Sequence, residues 1–138
     1  MSGWRLGIGI VLVLHGLGHA LGLLALSGLQ TDTWNGRSWL LTDRIGDTAA
    51  KSVSVVLWLI ALATFVAAGL ALLQVSLPED LWRPLAVTGA VASLVGLALF
   101  WNAFPVLFPN KIGALAVDVA VLVGVLLVDW PTEEMLTR

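Results

Sequence analysis

The chain has 138 residues, of which 59% are apolar and only 12% charged, with a formal net charge of −2. A soluble domain usually carries about 25% charged residues, and one this small cannot hide so much apolar surface from water, so lipid is the expected solvent. There is no cysteine and no basic run, which excludes disulfides, thiol chemistry and thiolate metal sites and leaves no footprint for nucleic acid.

The first predicted element runs from about Trp4 to Leu29. Its apolar run exceeds the roughly 7–15 residues of a secretory signal core, and no small-x-small cleavage site follows. It therefore reads as a retained transmembrane helix. Further apolar stretches of near-spanning length cover about Val53 to Val75, Pro84 to Phe104 and Ile112 to Trp130. The loops after the second and third are short, which places neighbouring helices antiparallel. The expected fold is all-α: one domain over 1–138, an integral membrane bundle of four helices running up, down, up, down.

This threading puts Trp4, Trp82 and Trp130 at one membrane boundary and Trp34, Trp39 and Trp101 at the other, where indoles favour the headgroup layer. Only Trp58 falls inside a span. Arg5, Arg83 and Arg138 lie on the terminal side, against Arg37, Arg44, Lys51 and Lys111 on the other. Charge counting thus sets no orientation, and only the short basic N-terminus points to cytoplasmic termini.

The longest loop, Gln30 to Ser52, carries Ser38-Trp39-Leu40-Leu41 and then Asp43, Arg44, Asp47 and Lys51. It reads as an interfacial segment followed by a helix start, at which Asp43 or Asp47 accepts backbone N–H bonds. On the terminal side, Arg5 and Asp129 fall at matching depth and are expected to pair. Asn102, Pro105, Pro109, Asn110 and Lys111 end the third helix and start the fourth.

Chemistry concentrates in the first span. His15, Gly18, His19 and Gly22 are spaced i, i+3, i+4, i+7 and share one helix face. Gly18 and Gly22 form a small-xxx-small step that admits a neighbouring helix, so the histidines are expected to face protein. Gly89, Ala92, Ser93 and Gly96 make a matching small face on the third span, and Ala61, Thr64, Ala68 and Ala71 on the second. In the fourth span stands Asp118, whose charge is costly against lipid and should point inward to a partner. It lies about six residues, roughly 9 Å, into that helix. Counting the same depth back along the first helix reaches Gly22, so His19 is the expected partner, with His15 deeper on the same seam.

Several functions suit these residues. The plainest is interhelical glue, polar contacts that fix packing register. Two histidines at i, i+4 with a carboxylate could bind zinc, manganese or iron, and His15 and His19 are the only candidate histidine ligands. The helical metalloprotease signature, however, needs Glu where Gly16 stands. Two histidines one turn apart cannot clasp a single haem from both faces. Proton relay, or hydrogen bonding to the head of a quinone, a lipid or another lipophilic molecule, fits the residue types better. A channel fits least, since helices this rich in Leu, Val and Ala leave little room for a wet pore.

The run Arg5-Leu6-Gly7 through Leu14-His15-Gly16-Leu17-Gly18-His19-Ala20-Leu21-Gly22 resembles the opening of DoxX-like proteins, small four-helix membrane proteins of bacteria and archaea. Looser likeness extends to Leu57-Trp58-Leu59-Ile60-Ala61-Leu62-Ala63 and to Trp101 with Lys111-Ile112-Gly113-Ala114. The resemblance implies a prokaryotic cell membrane and, for some members, association with membrane redox complexes and quinone-linked sulfur or thiol oxidation. DoxX proper usually has another residue where His19 stands, and the family offers no catalytic residue to carry over. The resulting expectation is a small accessory or ligand-binding membrane protein, homo-oligomeric or partnered in a membrane complex, with its site at His15, His19 and Asp118. The alternatives are a proton- or metal-coupled transporter and a purely structural subunit.

Overall fold

A computed structural model describes residues 2–27, 35–104 and 107–137, and among them every regular element is helical. Helix α1 (Gly3–Gly18) starts where the Ser2 side chain accepts a hydrogen bond from the Arg5 N–H at 3.1 Å, satisfying one of the helix's unpaired donors. It breaks at His19 and resumes as α2 (Ala20–Leu26). A short α3 (Thr42–Ile45) precedes the long α4 (Asp47–Leu72), then come α5 (Trp82–Leu99), α6 (Ile112–Leu122) and the small terminal α7 (Glu133–Thr137). A wider turn, Val123–Val128, continues α6 to its end.

Three helical stretches are long and apolar enough to cross a membrane: Gly3–Leu24, Asp47–Leu72 and Glu79–Leu99. The fourth apolar stretch, Ile112–Val128, is shorter. The outer face of α1 and α2 leaves Leu6, Ile10, Val11, Leu14, Leu17 and Leu21 exposed, as expected of a surface that meets hydrocarbon rather than water.

Helix boundaries follow local chemistry. Gly46, at φ +84°, precedes α4, and no side chain caps it; Asp47 instead sits in the first turn, where its charge favours the positive helix end. Asp43 lies in α3 and reaches Arg37 at 3.5 Å. The expected carboxylate cap is thus replaced by a glycine, and the helix begins six residues before the Val53 read from hydropathy. At its other end, Gln74 takes a left-handed conformation and the Val75 N–H donates back to the Leu70 carbonyl at 2.8 Å, closing the last turn. Pro84 falls in the first turn of α5, where its missing N–H costs nothing.

The core sits along α4, which packs against α1 on one side and α5 on the other, while α6 packs along α5. Ala61, Phe65, Ala68, Ala71 and Leu72 of α4 are fully buried, against Ala86 and Ala90 of α5 and Leu12 of α1. In lipid such packing rests on close fit rather than water exclusion, so small residues matter where backbones touch. A Cβ on Gly69 would lie 2.7 Å from the Gly9 carbonyl oxygen, and one on Gly16 would lie 2.9 Å from the Val66 nitrogen. The α1–α4 contact is therefore built on Gly9, Gly16 and Gly69. Gly18, expected to pack, has nothing within 4 Å of its would-be Cβ. The buried face of α1 runs Arg5, Gly9, Leu12, Gly16 and on to His19, and Gly18 lies off it.

Both ends are tied by backbone carbonyls that need donors. Arg5, buried, donates to the carbonyls of Leu136 (3.0 Å) and Leu72 (3.2 Å) and to Glu79 Oε1 (2.5 Å). Its partner is thus Glu79 and not Asp129, which pairs with Arg83 at 2.5 Å. At the other end Ser38 Oγ donates to the Leu99 carbonyl (2.6 Å) and Trp39 Nε1 to that of Ala98 (2.8 Å), so the loop closes over the end of α5. Trp4 meets Trp130 edge-on at 6.0 Å, and Trp39 shares a shallow groove with Trp101. Trp82, by contrast, is buried in the core, and Trp34 lies outside the described residues.

Candidate functional site

Three helices bring ionisable and hydroxyl groups together in the interior. Asp118, on α6, is completely buried. Its Oδ1 lies 2.8 Å from His15 Nε2 on α1, and its Oδ2 accepts a 2.5 Å hydrogen bond from Ser93 Oγ on α5. At 2.8 Å a proton must lie between carboxylate and imidazole, and which atom owns it depends on the histidine tautomer. The two helices are not close neighbours along their lengths, and the His15–Asp118 bond ties α1 to α6. Both acceptor atoms of the carboxylate are thereby engaged, which meets the requirement that a buried charge be paired.

The expected partner of Asp118, His19, is elsewhere. The chain kinks at Phe108, where the backbone is extended (φ −123°, ψ 137°), before Lys111 leads into α6, and in the resulting packing Asp118 meets His15 rather than His19. His19 instead occupies the break between α1 and α2. There its N–H donates to the Gly16 carbonyl at 3.0 Å and its own carbonyl accepts from Gly22 N–H at 3.2 Å, three-residue steps that tighten the helix.

The His19 ring lies in an aromatic stack. It is nearly parallel to Trp58 (centroids 5.5 Å apart, 14°) and to Phe65 (6.1 Å, 6°), with His15 edge-on at 5.1 Å. Phe65 also takes the edge of His15 at 4.6 Å. Trp58 is itself locked by glycines on both sides. A Cβ on Gly96 of α5 would come within 2.8 Å of its Cη2 and Cζ3 atoms, and one on Gly22 would meet Cδ1 at 3.3 Å and Nε1 at 3.4 Å. Gly89 does the same for Phe65, at 2.9 Å. The small residues of α2 and α5 therefore make room for two aromatic rings of α4 rather than for a bare backbone.

Two polar atoms in this stack have no hydrogen-bond partner: His19 Nε2 and Trp58 Nε1, both buried. Leaving such an atom unpaired costs about 1–3 kcal/mol, so each calls for an explanation.

The structure thus joins His15, Ser93 and Asp118 in one network and places His19 beside it, linked by ring contact alone. Ser93, on the small-residue face of α5, both packs there and donates a hydrogen bond to Asp118. Trp58 belongs to the site as well, and the available signal in the sequence is that hydropathy places it inside a span rather than at a boundary. Among the described residues no group of three His, Cys, Asp or Glu is placed to hold a metal ion. His15 Nε2 is turned to Asp118, and the His19 ring is turned into the aromatic stack. The chain matches no protein-family model, no curated protein and no solved structure.

Proposed function

We propose that this chain is a four-span membrane bundle that binds the polar head of a lipophilic molecule between α2, α4 and the His15–Asp118–Ser93 network. The carrying observation is the pair of buried, unpartnered nitrogens, His19 Nε2 and Trp58 Nε1, beside a network whose own groups are satisfied. Interhelical glue alone accounts for His15, Ser93 and Asp118, but an unpaired imidazole and indole add nothing to it. As a spanning segment, Ile112–Val128 reaches about 25 Å at 1.5 Å per residue, enough for a modestly thinned bilayer, and it brings α7 back to the side of Ser2. A quinone or a lipid is the ligand class in view.

The test is extraction of the purified protein followed by mass spectrometry. One lipophilic species should be recovered in near-stoichiometric amount from the unaltered chain and lost from His19→Ala. Recovery only of bulk lipid, in equal amounts from both, would refute the reading.

A second reading, proton relay, is favoured by one specific feature. His15, joined to Asp118, stands edge-on to His19, which gives two imidazoles and a carboxylate in sequence along the interior. Proton-coupled uptake or release in proteoliposomes, abolished by Asp118→Asn, distinguishes it from ligand binding.

A further inference from the structure

We propose that the head held at Trp58 and His19 is a single neutral oxygen, a hydroxyl or a carbonyl, and that anionic heads are rejected. This rests on the ligand-site reading above and adds the chemical class.

The argument begins with what is free to bond. The indole Nε1 of Trp58 can only donate, so its partner must be an acceptor. His19 Nε2 donates or accepts according to tautomer. Each oxygen of Asp118 is already engaged, Oδ1 with His15 and Oδ2 with Ser93. A hydroxyl oxygen answers both free groups by accepting from Trp58 and donating to His19. A carbonyl oxygen does so by accepting from each, with His19 in its other tautomer. A quaternary ammonium head has no lone pair for the indole.

Charge excludes the remaining class. A carboxylate or phosphate head would stand in the apolar interior near the buried Asp118 and would need a cation to offset it. Arg5 and Arg83 are committed at the terminal end, and Lys111 lies over the Trp101 ring at 5.1 Å. Lys51 is exposed two turns before Trp58, about 10 Å away along α4.

Gly22 sets the space beside the indole. The buried edge that carries Nε1 faces this residue, and a Cβ added here would lie 3.4 Å from Nε1. The indole edge can therefore be blocked without altering either polar residue.

The test uses the full chain in detergent micelles with nitrogen-15 labelled tryptophan, titrated with dodecanol, tridecanone and dodecanoate. The Trp58 indole N–H resonance, assigned by its absence from Trp58→Phe, should move saturably with the alcohol and the ketone. Dodecanoate should bind at least about tenfold more weakly. Trp58→Phe, read through the His19 ring resonances, should weaken the alcohol about tenfold, the scale of one hydrogen bond in a buried site. Gly22→Ala, which keeps both polar residues and places a methyl against Nε1, should weaken alcohol and ketone alike. Equal binding of dodecanoate, or unchanged affinity in Trp58→Phe and Gly22→Ala, would overturn the neutral-oxygen assignment while leaving a ligand site standing. Failure of all three probes to shift either residue would remove the site itself, and the assignment with it.

Discussion

His15 and Asp118 are 103 positions apart in the chain and 2.8 Å apart in the fold, and their bond ties α1 to α6. Polar pairs between membrane helices contribute modestly, about 0.6 kcal/mol on average and up to about 1.7 kcal/mol, because the unfolded helices also find partners in lipid. A double-mutant cycle with His15→Ala and Asp118→Ala should therefore give a coupling near 1 kcal/mol, measured by reversible unfolding in mixed micelles. Ser93→Ala should weaken the same coupling, since it frees one carboxylate oxygen. A coupling of zero would mean that the bond does not form in the membrane.

Two glycines two positions apart should behave oppositely. Gly16→Ala pushes a methyl to 2.9 Å from the Val66 nitrogen, a backbone atom that cannot yield, so a loss of about 1–3 kcal/mol is expected. Gly18→Ala meets nothing and gains helix propensity, so its stability should stay level or rise by up to about 1 kcal/mol. Thermal midpoints of the two variants decide the matter. The reverse order would show that the packed face of α1 is the one through Gly18.

The two arginines at the terminal end should also separate. Arg5→Ala leaves the Leu72 and Leu136 carbonyls without their donor inside the protein, and about 2–4 kcal/mol should be lost. Asp129→Asn removes the charge of a partner that is 84% exposed while keeping a side chain that suits the left-handed backbone there (φ +52°), and no measurable change is expected. Arg5→Lys should rescue only in part, because an ammonium cannot reach three separate acceptors with the guanidinium's fixed geometry. Equal effects at Arg5 and Asp129 would contradict this account.

The chain has no native cysteine, so single introduced cysteines report topology directly. With four spans, Ser76→Cys and Thr137→Cys react with an impermeant maleimide from one side of a sealed vesicle, and Asp43→Cys from the other. If Ile112–Val128 fails to cross, Thr137→Cys labels together with Asp43→Cys.

What composition and apolar run length determined was the class: an all-helical chain with stretches long enough to cross a bilayer, and a first span whose histidines sit on a protein-facing side. These follow from the sequence because burying a backbone in hydrocarbon leaves almost no option but a helix, and because a charge such as Asp118 must turn inward wherever it lies. Inside the bundle, Gly89, Ser93 and Gly96 were legible as a buried small face by helical spacing alone. The pairings were not. Which histidine meets Asp118, and whether Arg5 finds Glu79 or Asp129, depends on the relative depth of helices, and a kink such as that at Phe108 or a break such as that at His19 resets that depth. Nor did spacing reveal that Gly22 and Gly96 clear space for the Trp58 ring, since a glycine looks the same in sequence whether it receives a backbone, a side chain or nothing. Only the tertiary structure, by setting rotation and depth of each helix against the next, turned a list of polar residues into a satisfied network beside two unsatisfied nitrogens.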